Sequence, residues 1–480
     1  MRARTAFASA VTTAIVGLAA AGCGGGTGVA SSDLGGAASI APSDSVGFVA
    51  LDTDVSSSQW QTVDGLLKKF TSQGDLMTKL QQSFANQAKV SWTADVQPAL
   101  GSELDLIALP GAGAGAKPQL VGLTQPGNQA KLDALLKKLG TNVVSAQIGG
   151  WTAFSDSQAA LDAVQNATAK LSDNNTYRAA TAKLSAGALV RVYANGTEAQ
   201  QLIDSLGTHV QPGATGVPLA WASADVVASG DGVRVSGYSR DGSLAAAPAN
   251  NGIAPAQPYA SSLVDEIPSG AIFVADFPVA PGQFQRAIAA GRKGPLAKLF
   301  GANAATLASD LDSILGGETA LYVRPGLPVP EVTLVTQPGD TAAATGALAD
   351  VVKILEQAVG SKLGGLPLAG LPIVHTVAGG RLVVSTSQQG LADFQSAGAK
   401  LSSDPSFKAA QAASGMPAQT TGFLYADLAA ALPLLQTVGP ILGLKLPSTL
   451  STDAGALRTL TAYGTRNGDE AAVTMFVQVH

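Results

Sequence analysis

Cysteine is almost missing from this chain: its 480 residues contain one, Cys23. A lone thiol excludes an internal disulfide framework and any zinc site built from cysteines. Histidine is nearly as scarce. His209, His375 and His480 stand at no metal-ligand spacing, and no H-E-x-x-H occurs. Charge is thin as well, with Asp, Glu, Lys and Arg making up 13% of the residues against about 25% in ordinary soluble domains. The formal net charge of −5 leaves nothing basic enough to track a phosphate backbone, which excludes nucleic acid as a partner. No G-x-S-x-G elbow is present; the nearest run, "GYSRD" from Gly237, ends in Asp and reads as strand. A serine triad with distant partners is not excluded by that, because such partners need not be sequence neighbours.

What is there begins with "FASAVTTAIVGLAAAGCGGG", residues 7–26, behind Arg2 and Arg4. A short basic start and a weakly apolar Ala-rich run have the shape of an export signal, and the run is too short and small for a membrane span of about 20 strongly apolar residues. Ala20-Ala21-Gly22-Cys23 resembles a bacterial lipobox, with Ala20 where Leu is usual and Leu18 two residues further back. The resemblance implies cleavage before Cys23 and a lipid (diacylglycerol, palmitate) on its sulfur. The expected signal peptide is therefore 1–22. It takes two arginines with it and leaves 27 basic against 34 acidic residues, a balance of −7. Residues 23–40, mostly Gly, Ala and Ser, read as a flexible tether.

The body beyond it repeats itself. "APSDSVGFVALDTD" (41–54) matches "IPSGAIFVADFP" (267–278), with Phe48 facing Phe273. "ALGSELDLIALPG" (99–111) matches "ILGGETALYVRPG" (314–326), and "PQLVGLTQPGN" (118–128) matches "PEVTLVTQPGD" (330–340). Four further blocks follow in the same order, among them "AKLSDNNTYRAA" (169–180) with "AKLSSDPSFKAA" (399–410) and "VRVYANG" (190–196) with "GFLYADL" (422–428). Collinear blocks at a nearly constant offset predict two tandem copies of one domain, 41–246 and 259–480, joined by a Pro/Asn/Gly linker at 247–258. The pairing also disposes of "GAGAGAK" (111–117) as a phosphate loop. Its counterpart is "PGLPVP", so both read as hairpin connections.

Each copy reads as strand, helix, two strands, helix, hairpin, helix, strand and a final hairpin. The first helix places Trp60, Val63, Leu67 and Phe70 on one face, and the second Leu132, Leu135, Leu136 and Leu139. Gly149-Gly150, Asp231-Gly232 and Asn467-Gly468 mark hairpin turns. The expected fold class is α+β, a largely antiparallel sheet with helices packed on one face. The element order over 45–148 suggests a ferredoxin-like arrangement.

The lipobox, the opening "PSDSVGFVALDTDVSSSQW" and the duplicated body are similar to a family of exported bacterial proteins, mostly actinobacterial, known as a domain of unknown function (DUF 3352). The resemblance implies an envelope location, at the extracytoplasmic face of the cell membrane, and brings no activity, cofactor or catalytic residue.

Three places could carry function. Asp54-x-Ser56-x-Ser58 has the spacing of a metal-ion-dependent adhesion motif, in which oxygen ligands suit a hard cation. The second copy keeps only Asp276 there, so a helix cap is the preferred role for these residues, and no cofactor is expected. The second copy also carries 18 more residues between TQPG and its Gly-Gly turn, including "KLGGLPLAGLPIV" (362–374). Together with "LPLLQTVGPILGLKLP" (432–447), these residues form either extra core or an apolar mouth for a lipid-like ligand or an envelope protein. Leu366, Leu368, Leu371, Leu434 and Leu435 are its candidate contacts. The expected protein is a non-catalytic, lipid-anchored envelope binding protein; the alternative is an extracytoplasmic hydrolase with a dispersed site.

Overall fold

The structure is a computed structural model that describes residues 34–70, 91–111, 116–139, 142–196, 219–242, 256–289, 304–326, 330–362, 373–438 and 454–480. Cys23, Leu366, Leu368 and Leu371 lie outside the described residues. The chain divides into two compact units, one of Met1–Pro212, Val217–Ala246 and Asp469–Ala472, the other of Gly213–Gly216, Ala247–Gly468 and Val473–His480.

Unit 1 runs β1 (Gly47–Asp52), α1 (Ser58–Leu67), β2 (Glu103–Leu109), β3 (Gln119–Thr124), α2 (Gln129–Leu139), β4 (Val144–Ile148), β5 (Trp151–Ser155), α3 (Gln158–Asn166), α4 (Asn175–Thr181), β6 (Val190–Asn195), β7 (Leu219–Ser229) and β8 (Gly232–Asp241). Its strands lie in the order β8-β7-β6-β1-β2-β3-β5-β4. Every pair in that row is antiparallel.

Unit 2 runs β9 (Phe273–Val279), α5 (Gln283–Ala289), α6 (Ala304–Ile314), β10 (Gly317–Arg324), β11 (Glu331–Thr336), α7 (Thr341–Lys362), β12 (Val374–Ala378), β13 (Arg381–Ser385), α8 (Gln388–Gln395), α9 (Pro405–Ser414), β14 (Phe423–Asp427), α10 (Leu428–Val438), β15 (Leu457–Asn467) and β16 (Glu470–Val479). Its order is β16-β15-β14-β9-β10-β11-β13-β12. The fold is thus α+β with extensive antiparallel sheet.

Local chemistry sets the element ends. Ser57, Ser157, Asn174, Ser387 and Asp404 each sit at a helix N-cap and accept from an amide of the first turn. The β4–β5 hairpin turns through Gly149 and Gly150 at φ 56° and 85°, a left-handed pair that side chains with a Cβ resist.

Four expectations need correction. Helices cover both faces of the sheet, because several strands are apolar on both sides; β2 and β5 are buried at every position. In β13, Val383 packs with Leu391, Phe394 and Phe407, while its neighbours Leu382 and Val384 pack with Leu307, Ala344 and Leu348. In β5, Ala153 packs with Leu161 and Val164 of α3, whereas Thr152 donates to Gln129 of α2 at 3.0 Å. The ferredoxin-like order is also absent: β1 is flanked by β2 and β6, both antiparallel to it, so residues 103–124 continue a meander. α1 ends at Leu67 and buries Trp60, Val63 and Leu66, with Leu66 taking the place expected for Leu67.

The fourth concerns the tether. Its last residues are folded: Leu34, Ala37 and Ala38 are buried in the core of unit 1, and Gly36–Ser39 forms a turn of 3-10 helix. Two carboxylates on β2 make this possible by accepting amides of a segment that lacks ladder partners of its own.

The strand registers also shift one sequence match. Phe48 pairs with Ile107 and Tyr193. In unit 2 the residue flanked by Tyr322 and Tyr425 is Val274, not Phe273.

Candidate functional site

The residues of the adhesion-like motif are spent on one another. Asp52 accepts the Asp54 amide at 2.9 Å and the Ser57 hydroxyl at 2.6 Å, and Asp54 accepts both the amide and the hydroxyl of Ser56. Ser57, between the residues singled out from sequence, is the helix cap and accepts from the Trp60 amide at 3.3 Å. Ser58 is exposed at the first position of α1. Burial pushes the Asp52 carboxyl up to about 6 against the opposing pull of Ser57. Among the described residues no three His, Cys, Asp or Glu side chains are grouped to hold a metal. Leu434 is half-buried and Leu435 exposed on α10. Leu434 and Leu435 belong to unit 2, whereas Asp54, Ser56 and Ser58 belong to unit 1.

The sequence reading missed a cavity in unit 1. It has a volume of about 570 Å³ and lies between the entry segment (Leu34 to Ser39), α4 and strands β1 and β6. Its floor follows from strand register. One cross-strand row is Asp105–Ala50–Arg191–Asp225, and the next is Ile107–Phe48–Tyr193–Ser223. Ala50 is the small residue in this floor, and its missing bulk leaves room between larger neighbours. Phe48 and Tyr193 each meet the Tyr177 ring edge-on, with centroids 5.8 and 5.0 Å away. Arg178, Thr181 and Leu184 line the side near α4.

The entry segment is pinned over this floor by polar bonds. Glu103 accepts the amides of Gly35 and Gly36, the latter at 3.2 Å, and Asp105 accepts the Ala37 amide at 3.0 Å. Arg191 donates from Nη1 to the Leu34 carbonyl at 2.7 Å and from Nε to the Ser185 carbonyl at 2.8 Å. These two bonds fix the guanidinium plane within the cavity wall. Asp225, the next residue in the row, accepts the Ser185 amide at 2.7 Å.

Burial sets the protonation states here. The Asp105 carboxyl is held well above the usual range, first by burial and then by the charge of adjacent Glu103. Burial also raises the Tyr177 phenol, with Asp105 adding to the effect, and pushes Tyr193 up to about 12. Both phenols are therefore O–H donors at neutral pH. The Tyr193 side chain is 1% exposed, and its hydroxyl has no hydrogen-bond partner. A buried hydroxyl without a partner costs roughly 1–3 kcal/mol; Tyr322 and Thr461 of unit 2 carry others.

The matching row of unit 2 is Ala320–Asp276–Phe423–Tyr463. There the acid stands on the first strand and the alanine on the second, reversing unit 1. Asp276 accepts the hydroxyls of Tyr259 and Ser261, the latter at 2.7 Å, and burial pushes its carboxyl up to about 6. Where unit 1 has Arg191, unit 2 has Phe423. The Phe407 ring packs on Phe423 and Tyr425, with centroids 5.7 and 5.2 Å away. By the sequence blocks Phe407 and Tyr425 stand where unit 1 has Tyr177 and Tyr193, so the added ring is Phe423.

No family model matches the chain, and no curated protein matches it. Two solved structures, crystal forms III and IV of TP0453, are similar to it at 8% identity with TM-scores of 0.24 and 0.23. They cover 43% and 42% of this chain and 80% and 79% of their own. Among the described residues no helix is long and apolar enough to cross a membrane.

Proposed function

We propose that the chain is an exported protein of the cell envelope, anchored by a lipid on Cys23, whose first unit binds a small lipid-like ligand without transforming it. The observation that carries the binding reading is the open cavity over Ala50, lined by Phe48, Tyr177, Arg191 and Tyr193. A volume of this size lies within the range of about 300–1,000 Å³ typical of small-molecule sites. The lining supports binding over catalysis. Its hydroxyls, from Ser39, Ser172, Thr181 and the two tyrosines, share it with no histidine or carboxylate that could act as a base.

The two units are read as copies of one domain. Supporting this are the matching strand orders, the repeated sequence blocks and the recurrence of a buried acid in the same cross-strand row. On that reading, Phe423 closed the second copy while the first kept its opening. The lipobox, the single cysteine and the resemblance to the exported family support the envelope location.

Purification of the full chain from its own membranes, followed by native mass spectrometry, tests both claims. Cys23→Ala is expected to release the protein or leave it unprocessed, since one anchor supplies its membrane affinity. Arg191→Phe, which imitates unit 2, is expected to abolish a co-purifying small molecule while the protein stays folded. Retention of the molecule in Arg191→Phe would place its site elsewhere.

A further inference from the structure

Resting on the readings that the unit 1 cavity binds a ligand and that the units are copies of one domain, we infer that the ligand is a ring-bearing amphiphile. An aromatic group of phenyl or phenol size lies over Ala50 against Phe48 and Tyr177, and the apolar remainder lies along Leu34 and Leu184.

The inference starts from unit 2, which supplies such a ring itself. The chain enters both units alike. Pro42 bridges Lys170 and Pro268 bridges Lys400, and the amides of Leu171 and Leu401 donate at 2.8 Å to the carbonyls of Ala41 and Ile267. Just upstream, a glutamate of β2 or β10 holds the entering backbone: Glu103 accepts the Gly36 amide at 3.2 Å, and Glu318 accepts the Leu263 amide at 3.1 Å. From this segment unit 2 extends Tyr259. Its backbone exchanges two hydrogen bonds with Thr420, at 2.9 and 3.0 Å, and its hydroxyl donates to Asp276. Asp276 holds on β9 the place that Ala50 holds on β1, between the second strand and the strand of Arg191 or Phe423. The phenol of unit 2 therefore reaches the position of the sheet over which unit 1 has its cavity.

Unit 1 has no ring of its own to put there. Counted back from the matched prolines, Tyr259 aligns with Asp33, and residues 23–33, CGGGTGVASSD, contain no aromatic side chain. The acceptor is missing too, since Ala50 stands for Asp276. A phenol and the carboxylate it bonds are thus absent together.

What remains suits a ring. The Tyr177 ring already meets Phe48 and Tyr193 edge-on, and edge-to-face contacts between rings stabilise beyond the area they bury. Leu34, Ala38, Leu184 and Ala186 add hydrocarbon contact. The size calls for more than a ring: an apolar cavity of about 150 Å³ holds benzene, and this one measures about 570 Å³. The ring therefore carries an apolar extension.

Titration calorimetry on the full chain with three nine-carbon probes reads the class: 4-propylphenol, propylbenzene and nonan-1-ol. Both ring probes are expected to bind about fivefold or more tightly than nonan-1-ol, with little difference between the two. Ala50→Asp restores the acceptor that Asp276 provides and should make 4-propylphenol bind about tenfold more tightly than propylbenzene. Ala50→Leu should weaken both ring probes about tenfold. A test independent of position 50 is Tyr259→Gly, which opens the matching space in unit 2: p-cresol should restore its lowered urea midpoint, and hexan-1-ol should not. Nonan-1-ol binding as tightly as the ring probes would overturn the aromatic assignment while leaving the cavity as a ligand site. Ring binding unchanged in Ala50→Leu, or a Tyr259→Gly protein that p-cresol does not restore, would also overturn it. Binding of none of the three probes, with no molecule co-purifying from membranes, would overturn the site as well.

Discussion

Asp276 makes the stability of unit 2 depend on pH in a calculable way. Its side chain is 1% exposed in the central strand β9, and burial raises its carboxyl from the ordinary 3.8 to about 6. The folded protein therefore holds a proton that the unfolded chain releases between these two values. A raised folded value means that stability increases as pH falls through 6 and that the gain is complete below 3.8. Keeping this carboxylate ionised in the fold at higher pH costs about 3 kcal/mol, at about 1.4 kcal/mol for every tenfold change in proton affinity. Between pH 7 and pH 5 the folded carboxyl becomes mostly protonated while the unfolded one stays mostly ionised, which contributes about 1.3 kcal/mol of added stability. Asp276→Asn fixes the group in a neutral form and removes this increment. Urea unfolding of both proteins at pH 7, 6 and 5 reads it as a difference of differences, so every other titrating group cancels. The wild type should gain about 1.3 kcal/mol on the variant over that interval. A stability difference that stays constant with pH would show that Asp276 does not titrate there, and that its hydrogen bonds from Tyr259 and Ser261 outweigh its burial.

Ser57→Ala removes the cap of α1 and should cost about 1 kcal/mol in urea unfolding; because Asp52 also loses its hydroxyl donor, the loss should be larger at pH 8 than at pH 5. Gly101→Ala should be worse, at about 3 kcal/mol or more, since the added Cβ would lie 1.8 Å from the Gln125 carbonyl oxygen, a backbone atom that cannot rotate away. A midpoint within experimental error of wild type would refute that packing account.

Much of the local structure was legible in the sequence because it is decided locally. The hairpin turns at Gly149-Gly150, Asp231-Gly232 and Asn467-Gly468 fall where Gly permits the backbone to reverse, and Ser, Asn or Asp stands before five helices. Strand order was not legible, since the placement of β6 beside β1 joins distant residues, from Leu51 with Val190 to Gly47 with Ala194. The two-faced covering of the sheet was partly hidden by polar residues in buried strands. "ELDLIAL" looks amphipathic, yet Glu103 and Asp105 are buried with the rest because the entry segment supplies them with amides. The cavity arises from segments scattered over residues 34–193, none of which carries a motif. One signal was available: the aligned blocks "VRVYANG" and "GFLYADL" set Arg191 against Phe423, an exchange of cation for aromatic ring at an otherwise matched position. Attention to length differences between the repeated sequence blocks pointed instead to residues 362–374.

The manner in which the chain enters unit 1 also decides how that unit bears load. Tension arriving from the N-terminal side reaches Leu34 first and acts on the amides of Gly35 and Gly36 at Glu103, then on Ala37 at Asp105. These contacts break in succession, like a peeled strip. β1 beyond them is an interior strand laddered on both edges, so a pull along it must shear two rows of bonds together. The entry segment therefore acts as a mechanical fuse. It should yield while the sheet holds, and in yielding it would lift Leu34, Gly35 and Gly36 off the cavity wall.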